Sequence, residues 1–147
     1  MNDVLIVDDN PLDVALHERV LQRTGMFGRI WHASNGLEAI DMFCRHEQGR
    51  ADAPEGFPPL IVLLDLNMPL LDGFGFLERC AALPKGVRSR VIIVLSSSSA
   101  KLDRERIADS EMVAEYLVKP LSSAVADKIA RSFIDDPVSR SGDGGRE

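Results

Sequence analysis

The sequence predicts an α/β fold in which helices cover both faces of a parallel β-sheet. Its 147 residues fit one ordinary domain, and a hydrophobic fraction of 45% with a charged fraction of 27% is typical of a globular protein. Segments of helical periodicity separate the strand candidates, as crossovers between parallel strands require. Three continuous apolar runs indicate strands buried on both faces: Val4 to Val7, Leu60 to Leu64 and Val91 to Leu95.

The first helix is expected directly after the first strand. Asn10 suits the N-cap, Pro11 suits the first helical position, and Gly25 suits the residue after the helix end. We expect one apolar face of this helix to be buried against the sheet. The residues of that predicted face are Leu12, Ala15, Leu16 and Val20.

Two weaker strands and four further helical segments complete the pattern. The strands are Ile30 to Ala33 and Glu115 to Val118. The helical segments are Leu37 to Arg45 (with Leu37, Ile40 and Cys44 on one stripe), Phe74 to Leu83, Lys101 to Ser110, and a last one after Ser122 or Ser123 (with Val125, Ala126, Ile129, Ala130 and Phe133). A strand is therefore followed by a helix five times. This order predicts a flavodoxin-like, doubly wound (βα)5 fold, whose five-stranded parallel sheet has the strand order 2-1-3-4-5.

Two segments fall outside this pattern. Glu47 to Pro59 contains three prolines and two glycines and is expected to form a long loop. Residues 135–147 are polar and Gly-rich, which predicts a disordered C-terminal tail after an ordered domain over residues 1–134.

Composition argues against several classes of protein. A net charge of −6 without a basic stripe argues against nucleic acid as a partner. The sequence has neither a signal peptide after Met1 nor an apolar run of about 20 residues, so we expect a soluble cytoplasmic protein without membrane contact. Cys44 and Cys80 are far apart and are expected to be apolar helix residues rather than disulfide or zinc ligands.

Acidic residues follow two of the predicted strands. Asp8 and Asp9 come directly after the first strand, and Asp65 comes directly after the third. In a doubly wound sheet these strands are neighbours, and ligands bind beyond their carboxyl ends. Because like charges held close together need a cation or shifted pKa values, the three carboxylates predict a Mg²⁺ site. A carboxylate beside Mg²⁺ can act as a nucleophile toward phosphorus.

Two other strand ends supply groups that a phosphoryl group would need. Ser96 follows the fourth strand and offers a hydroxyl donor, and Lys119 follows the fifth and offers a cation. Either residue alone would be weak evidence, because lysines at strand ends are common. Their position beside the carboxylates is what makes them candidates.

The motifs around these residues resemble those of bacterial response-regulator receiver domains, including CheY-like single-domain members. The resemblance covers about residues 2–134 and implies a stand-alone receiver domain with a phosphorylated aspartate. The matching stretches are Val4-Leu-Ile-Val-Asp-Asp9, Leu63-Leu-Asp65-Leu-Asn-Met-Pro69, Asp72-Gly73, Val94-Leu95-Ser96 and Tyr116-Leu-Val-Lys119-Pro120.

The resemblance implies a role for each matching residue. Asp65 is the implied phosphorylation site, and Ser96 and Lys119 are implied to contact the phosphoryl group. The implied Mg²⁺ ligands are Asp8, Asp9, Asp65 and the backbone carbonyl of Asn67.

Two further roles follow from the same resemblance. Tyr116 is implied as an aromatic switch residue that turns inward when Ser96 is drawn toward the phosphate. It could instead be an aromatic residue that only packs on the fourth helix. Pro120 stands where the family places a proline after a cis peptide bond.

The implied partners are proteins. A sensor histidine kinase or a histidine phosphotransfer protein is expected to dock near Asn10, Leu12 and Asp13. The fourth helix, fifth strand and last helix, roughly Lys101 to Phe133, are expected to bind a downstream protein or a second copy of the chain. The long loop at Glu47 to Pro59 is similar to that of stand-alone receivers paired with phytochrome-type or other sensor kinases.

Three alternatives stay open. An aspartyl phosphohydrolase of the haloacid-dehalogenase type would carry a second Asp two residues after the nucleophile, where this chain has Asn67. A pseudo-receiver would have the same fold without phosphorylation. An electron carrier would need a phosphate-binding loop rich in Ser, Thr and Gly after the first strand, which is absent here. In the receiver interpretation the chain is not an enzyme, because it turns over only its own phosphoryl group.

Overall fold

The fold of the chain is a five-stranded parallel sheet between two layers of helices. The computed structural model describes residues 2–53, 56, 59–68, 70–82, 91–96, 105–107 and 112–132. The strands are β1 (Asn2–Val7), β2 (Phe27–Ala33), β3 (Ile61–Leu64), β4 (Val91–Ser96) and β5 (Val113–Val118). Their order is β2-β1-β3-β4-β5, and every neighbouring pair is parallel. The predicted doubly wound sheet is confirmed.

The helices occupy the predicted positions between the strands. They are α1 (Pro11–Thr24), α2 (Gly36–Glu47), α3 (Gly73–Ala81), α4 (the helical residues 105–107) and α5 (Ser123–Ala130). The remainder of the predicted fourth helix lies outside the described residues, as does the predicted tail at 135–147. The described residues between Glu47 and Ile61 form turns and bends, as expected for a loop.

The sheet has an apolar core on each of its two faces, because successive side chains of a strand point to opposite faces. On one face Leu5 and Val7 of β1 pack with side chains of α2 and α3, including Phe43 and Phe76. On the other face, Val4 and Ile6 pack with side chains of α1 and α5. Because successive residues of a strand point to opposite faces, β1 is buried on both sides. The continuous apolar runs of the sequence have this origin.

The buried face of α1 differs from the predicted one. Val14, His17 and Leu21 face the core, whereas Leu12 is 80% exposed and Leu16 is 45% exposed. The predicted face consisted of aliphatic residues only and therefore left out His17, and of its four members only Val20 packs against the core. That choice hid the stripe at positions 14, 17 and 21, whose spacing also fits one face of a helix.

The other helix faces agree with the sequence to different degrees. In α2 the buried side chains are Ala39, Met42 and Phe43, so the predicted stripe at Leu37, Ile40 and Cys44 is displaced around the helix. In α5 Ala126, Ile129 and Ala130 are buried as predicted, and Phe133 lies outside the described residues.

The two cysteines are free thiols on helices, as expected. Cys44 is half-buried, and burial raises the pKa of the Cys80 thiol to about 12. Cys80 is therefore protonated at neutral pH and is a poor nucleophile. Within the described part of the chain, every helix is too short or too polar to cross a lipid bilayer.

Candidate functional site

Three carboxylates converge where β1 and β3 end. The two strands pair with Val7 opposite Leu64, and the amide of Asp65 donates to the carbonyl of Val7 at 2.9 Å. Asp8 and Asp65 are buried, Asp9 is exposed, and one oxygen of each lies within 4.8 Å of the others. The cluster predicted from strand ends therefore exists. Its oxygen donors and negative charge suit a hard divalent cation such as Mg²⁺.

Lys119 brings a positive charge into this cluster. Its Nζ lies 2.7 Å from Asp8 Oδ2 and 3.6 Å from Asp65 Oδ2, and its side chain is only 9% exposed. The backbone amide of Lys119 donates to the carbonyl of Ser96 at 2.8 Å, which fixes the chain at the end of β5. The lysine predicted to contact a phosphoryl group thus already neutralises part of the carboxylate charge.

A fourth carboxylate, from Asp13 in the first turn of α1, also binds this lysine. Nζ of Lys119 donates to Asp13 Oδ2 at 2.9 Å. The sequence analysis placed Asp13 only on the expected docking surface for a kinase. Contact with Lys119 spans 106 positions of the chain. The sequence signal that could have suggested it is the position of Asp13 in the helical turn directly after Asp8.

The surroundings of Asp65 and Lys119 shift their pKa values. Burial raises the pKa of Asp65 to about 6, against the positive charge of Lys119 and with the added repulsion of Asp8. Burial lowers the pKa of the Lys119 ammonium, but its hydrogen bonds to Asp13 and Asp8 outweigh burial, and the pKa is raised. At neutral pH the site therefore holds a mostly ionised Asp65 beside a charged lysine.

Asn10 ties the start of α1 to this site. Its backbone amide donates to Asp8 Oδ1 at 2.9 Å. Its side-chain oxygen caps the helix by accepting from the amides of Leu12 and Asp13 at 2.9 and 3.2 Å. Asp8 and Asp13 are therefore held in a fixed relation through one residue.

The loop after Asp65 packs tightly against the start of α3. The amide of Asn67 lies 3.4 Å from Asp65 Oδ1, and the amide of Gly73 donates to the carbonyl of Leu66 at 3.0 Å. A Cβ at Gly73 would lie 2.6 Å from the carbonyl oxygen of Asp65, closer than real Cβ contacts. Only glycine fits there, which explains the Asp72-Gly73 pair of the sequence. The metal-ligand role of the Asn67 carbonyl stays a prediction.

Ser96 and Tyr116 lie on β4 and β5, the two strands that follow β3 in the sheet. Ser96 is fully buried at the end of β4, between β3 and β5. Tyr116 is half-buried on β5, opposite Val94, and packs against the core that α2 and α3 cover. The peptide bond before Pro120 is cis, as the resemblance implied. The roles of Ser96 and Tyr116 in switching stay predictions.

His17 is a buried polar residue close to the charges of the site. The side chain is 1% exposed, and within the described residues neither ring nitrogen has a hydrogen-bond partner. Burial lowers the pKa of His17, and the charge of Lys119 lowers it further, against Asp13 and Asp8. The imidazole is therefore neutral at physiological pH.

Comparison with known proteins decides the family. A model of the response regulator receiver domain matches residues 4–130. The chain belongs to this family. Receiver domains take part in phosphorylation-dependent signalling by two-component systems, and the strand-end carboxylates lie within the matched residues.

Individual relatives of this receiver domain agree in sequence or structure. The probable methanogenesis regulatory protein FilR2 of Methanothrix harundinacea is 35% identical over 81% of this chain and 72% of its own length. The bacteriophytochrome response regulator AtBRR is 27% identical with a TM-score of 0.73, covering 90% of this chain and 92% of its own. The Mn²⁺-bound form of the response regulator Rcp1 is 26% identical with a TM-score of 0.67, covering 90% and 91%. The match to this chain covers only 15% of the length of one other curated relative and 45% of the length of another.

Proposed function

We propose that this receiver domain is a switch that accepts a phosphoryl group on Asp65 from a histidine kinase or a histidine phosphotransfer protein, with the help of Mg²⁺. One observation carries the proposal: three carboxylates and a lysine, drawn from the ends of β1, β3 and β5, meet at a single point. A purely structural role does not require three carboxylates to converge, since grouping like charges is unfavourable.

The proposed reaction is an in-line transfer from phosphohistidine. An oxygen of the Asp65 carboxylate attacks phosphorus while the P–N bond to the donor imidazole breaks, and the electron pair of that bond stays on the imidazole. The product is an acyl phosphate on Asp65. Lys119, 3.6 Å from Asp65, is close enough to bind the incoming phosphoryl oxygens after a small movement.

The proposed Mg²⁺ ligands are the cluster carboxylates Asp8, Asp9 and Asp65 with the backbone carbonyl of Asn67. When bound, Mg²⁺ neutralises negative charge on the oxygens of the transferring group. The Mn²⁺-bound form of Rcp1, a relative of comparable length, supports a divalent cation at this kind of site.

The proposed phosphodonor docks on α1 beside the site. Leu12 and Leu16 are exposed there, on the side of the helix away from Val14 and Leu21. Exposed leucines next to a charged site are suited to contact with the helices of a donor protein. AtBRR is a bacteriophytochrome response regulator, so kinases of the phytochrome type are the first donors to test.

The proposed output surface consists of α4, β5 and α5. Ser96 and Tyr116 connect the site to this surface, because Ser96 ends β4 and Tyr116 lies on the adjacent strand. Arg106 of α4 stacks over the ring of Phe74 at 3.6 Å, so α4 also contacts the helix that follows the Asp65 loop. A change at Asp65 can reach α4 by both routes, and the bound partner would be a downstream protein or a second copy of the chain.

Intact-mass analysis tests the proposal. We expect a phosphoryl adduct when the protein is incubated with acetyl phosphate and Mg²⁺, and none without Mg²⁺ or in Asp65→Asn. Asp41→Asn, which removes an exposed carboxylate from α2, is the matched control and should form the adduct like the wild type. A folded wild-type protein that forms neither an adduct nor a beryllofluoride complex with Mg²⁺ would reject the proposal in favour of a pseudo-receiver.

A further inference from the structure

The lysine of the site has one carboxylate partner that is not part of the cation-binding cluster. Nζ of Lys119 contacts Asp8 at 2.7 Å, Asp13 at 2.9 Å and Asp65 at 3.6 Å. Asp8 and Asp65 also belong to the group of carboxylates that could hold a metal ion, whereas Asp13 does not. Asp13 therefore offers the lysine a negative charge for which a cation in the cluster does not compete.

The backbone holds Asp13 firmly in this position. Its amide is bound by the side chain of Asn10, and the amide of Asn10 is bound by Asp8. The side chain of Asp13 is 32% exposed, against 9% for Lys119 and 6% for Asp65. Asp13 is thus the most exposed of the three carboxylates around the lysine and holds the ammonium group from the side that opens to solvent, which is the mouth of the site.

We propose that Asp13 is a positioning residue that keeps the ammonium group of Lys119 at the mouth of the site, so that Mg²⁺ and the lysine can occupy the carboxylate cluster together. This inference rests on the proposed function. Two cations that share Asp8 and Asp65 repel each other, and each weakens the binding of the other. With Asp13 present, the lysine would retain a carboxylate partner when Asp8 coordinates Mg²⁺.

Loss of Asp13 should increase the competition between the two cations. In Asp13→Asn the lysine is left with Asp8 and Asp65 as its carboxylate neighbours among the residues described above. In this variant the Lys119 ammonium binds more tightly to Asp8 and Asp65, which are also proposed Mg²⁺ ligands. The effect must disappear when the lysine is absent, because Asp13 acts through Lys119.

A double-mutant cycle on Mg²⁺ affinity tests the inference in the unphosphorylated protein. Isothermal titration calorimetry would compare wild type, Asp13→Asn, Lys119→Met and the double variant. We expect Asp13→Asn to weaken Mg²⁺ binding about tenfold when Lys119 is present and less than about twofold in the Lys119→Met background. Asp13→Glu, which restores the carboxylate, should recover most of the affinity.

Two controls separate this role from a structural one. Glu38→Gln removes a carboxylate from the first turn of α2 that accepts from the amide of Ser34 and forms no ion pair with Lys119 among the described residues, and it should leave the Mg²⁺ affinity unchanged. The NMR signals of the Lys119 ε-methylene and ammonium groups should move in Asp13→Asn, and a change confined to helix stability would not move them.

The outcomes are distinct. An equal loss of affinity in both Lys119 backgrounds would mean that Asp13 acts on the metal directly, and it overturns the inference, as does an unchanged affinity. If wild type forms the Mg²⁺-dependent adduct but Asp13→Asn binds Mg²⁺ normally, the inference fails and the proposed function stands. A folded wild type that neither binds Mg²⁺ nor forms the adduct overturns both.

Discussion

Asp65 and His17 are both buried, and burial shifts the pKa of each toward the neutral form, yet their surroundings differ. Asp65 lies at the open end of the sheet with Lys119 and Asp8 as charged neighbours. His17 lies on the buried face of α1 together with Val14 and Leu21. Its ring nitrogens have no hydrogen-bond partner among the described residues. Burial therefore shifts both pKa values, although Asp65 lies among charged groups at the end of the sheet and His17 lies on a helix face that packs against the core.

This difference teaches how to interpret a shifted pKa. Burial is the main cause that lowers the pKa of His17, the charge of Lys119 lowers it further, and the ring nitrogens have no hydrogen-bond partner among the described residues. At Asp65 the shift accompanies a cation and further carboxylates at the end of a strand. The pKa shift and these neighbours together, rather than the shift alone, support the proposed role of Asp65.

Removing the positive charge of Lys119 should have the largest effect on stability. Lys119→Met leaves Asp8, Asp13 and Asp65 without their shared ammonium partner, and breaking a buried ion pair costs about 3–5 kcal/mol. We expect a loss of about 3 kcal/mol in the free energy of unfolding at pH 8 without Mg²⁺, measured by urea denaturation. Mg²⁺ should restore part of it.

A matched control supports this measurement. Lys128→Met removes an exposed lysine from α5 and should change the free energy of unfolding by less than about 0.5 kcal/mol. If both variants lose the same stability, the Lys119 ion pairs are not important for the fold.

Neutralising Asp65 should stabilise the metal-free protein. The pKa of Asp65 is about 6 in the folded state against 3.8 ordinarily, so the folded protein binds the proton more tightly than the unfolded chain. The favourable contribution of the protonated carboxyl is present below pH 4 and is lost as pH rises through 6. Asp65→Asn should therefore gain about 1–3 kcal/mol at pH 8 and almost nothing at pH 4. Urea denaturation at both pH values measures this, and an equal gain at both would contradict the pKa argument.

Replacing His17 should give the smallest gain. His17→Leu removes two buried ring nitrogens that lack partners, and an unsatisfied buried polar group costs about 1–3 kcal/mol. Because the folded pKa of His17 is lowered below 6.5, the unfolded chain binds the proton more tightly, and the wild type loses stability as pH falls below 6.5. We expect a gain of about 1 kcal/mol at pH 8 and a larger one at pH 5.5, measured by thermal unfolding.

A second variant separates the two causes of that gain. His17→Gln keeps a polar side chain but does not titrate, so it should remove the pH dependence without the gain at pH 8. A His17→Leu protein that is less stable than wild type at both pH values would show that the imidazole makes a favourable contact.

The sheet and the buried face of α5 were largely predictable from sequence, whereas the buried faces of α1 and α2 were not. Continuous apolar runs located β1, β3 and β4 because both faces of a central strand are buried. The edge strands extend further than predicted: β2 begins at Phe27 rather than Ile30, and β5 at Val113 rather than Glu115. Edge strands tolerate Gly28 and Arg29, so hydrophobicity does not define their ends.

The candidate site was predictable to the extent that it depends on topology. Asp8, Asp9 and Asp65 meet because the ends of neighbouring strands meet, and a strand order is enough to place them. The contact of Asp13 with Lys119 depends on the angle of α1 and the path of the chain after β5, so the position of Asp13 after Asp8 could suggest the contact but could not establish it. His17 was missed for a simpler reason, because a histidine was not considered as a core residue.

The exposed flank of α1 has a consequence for the evolution of specificity. Leu12 and Leu16 contribute little to the core, so changes at these positions should scarcely affect folding or the chemistry at Asp65. Asp13, in the same helix, faces the lysine instead. In the proposed docking mode, one helix thus carries both surface residues that can change and Asp13, which contacts the lysine, and surface substitutions alone could give a duplicated copy of this protein a new donor.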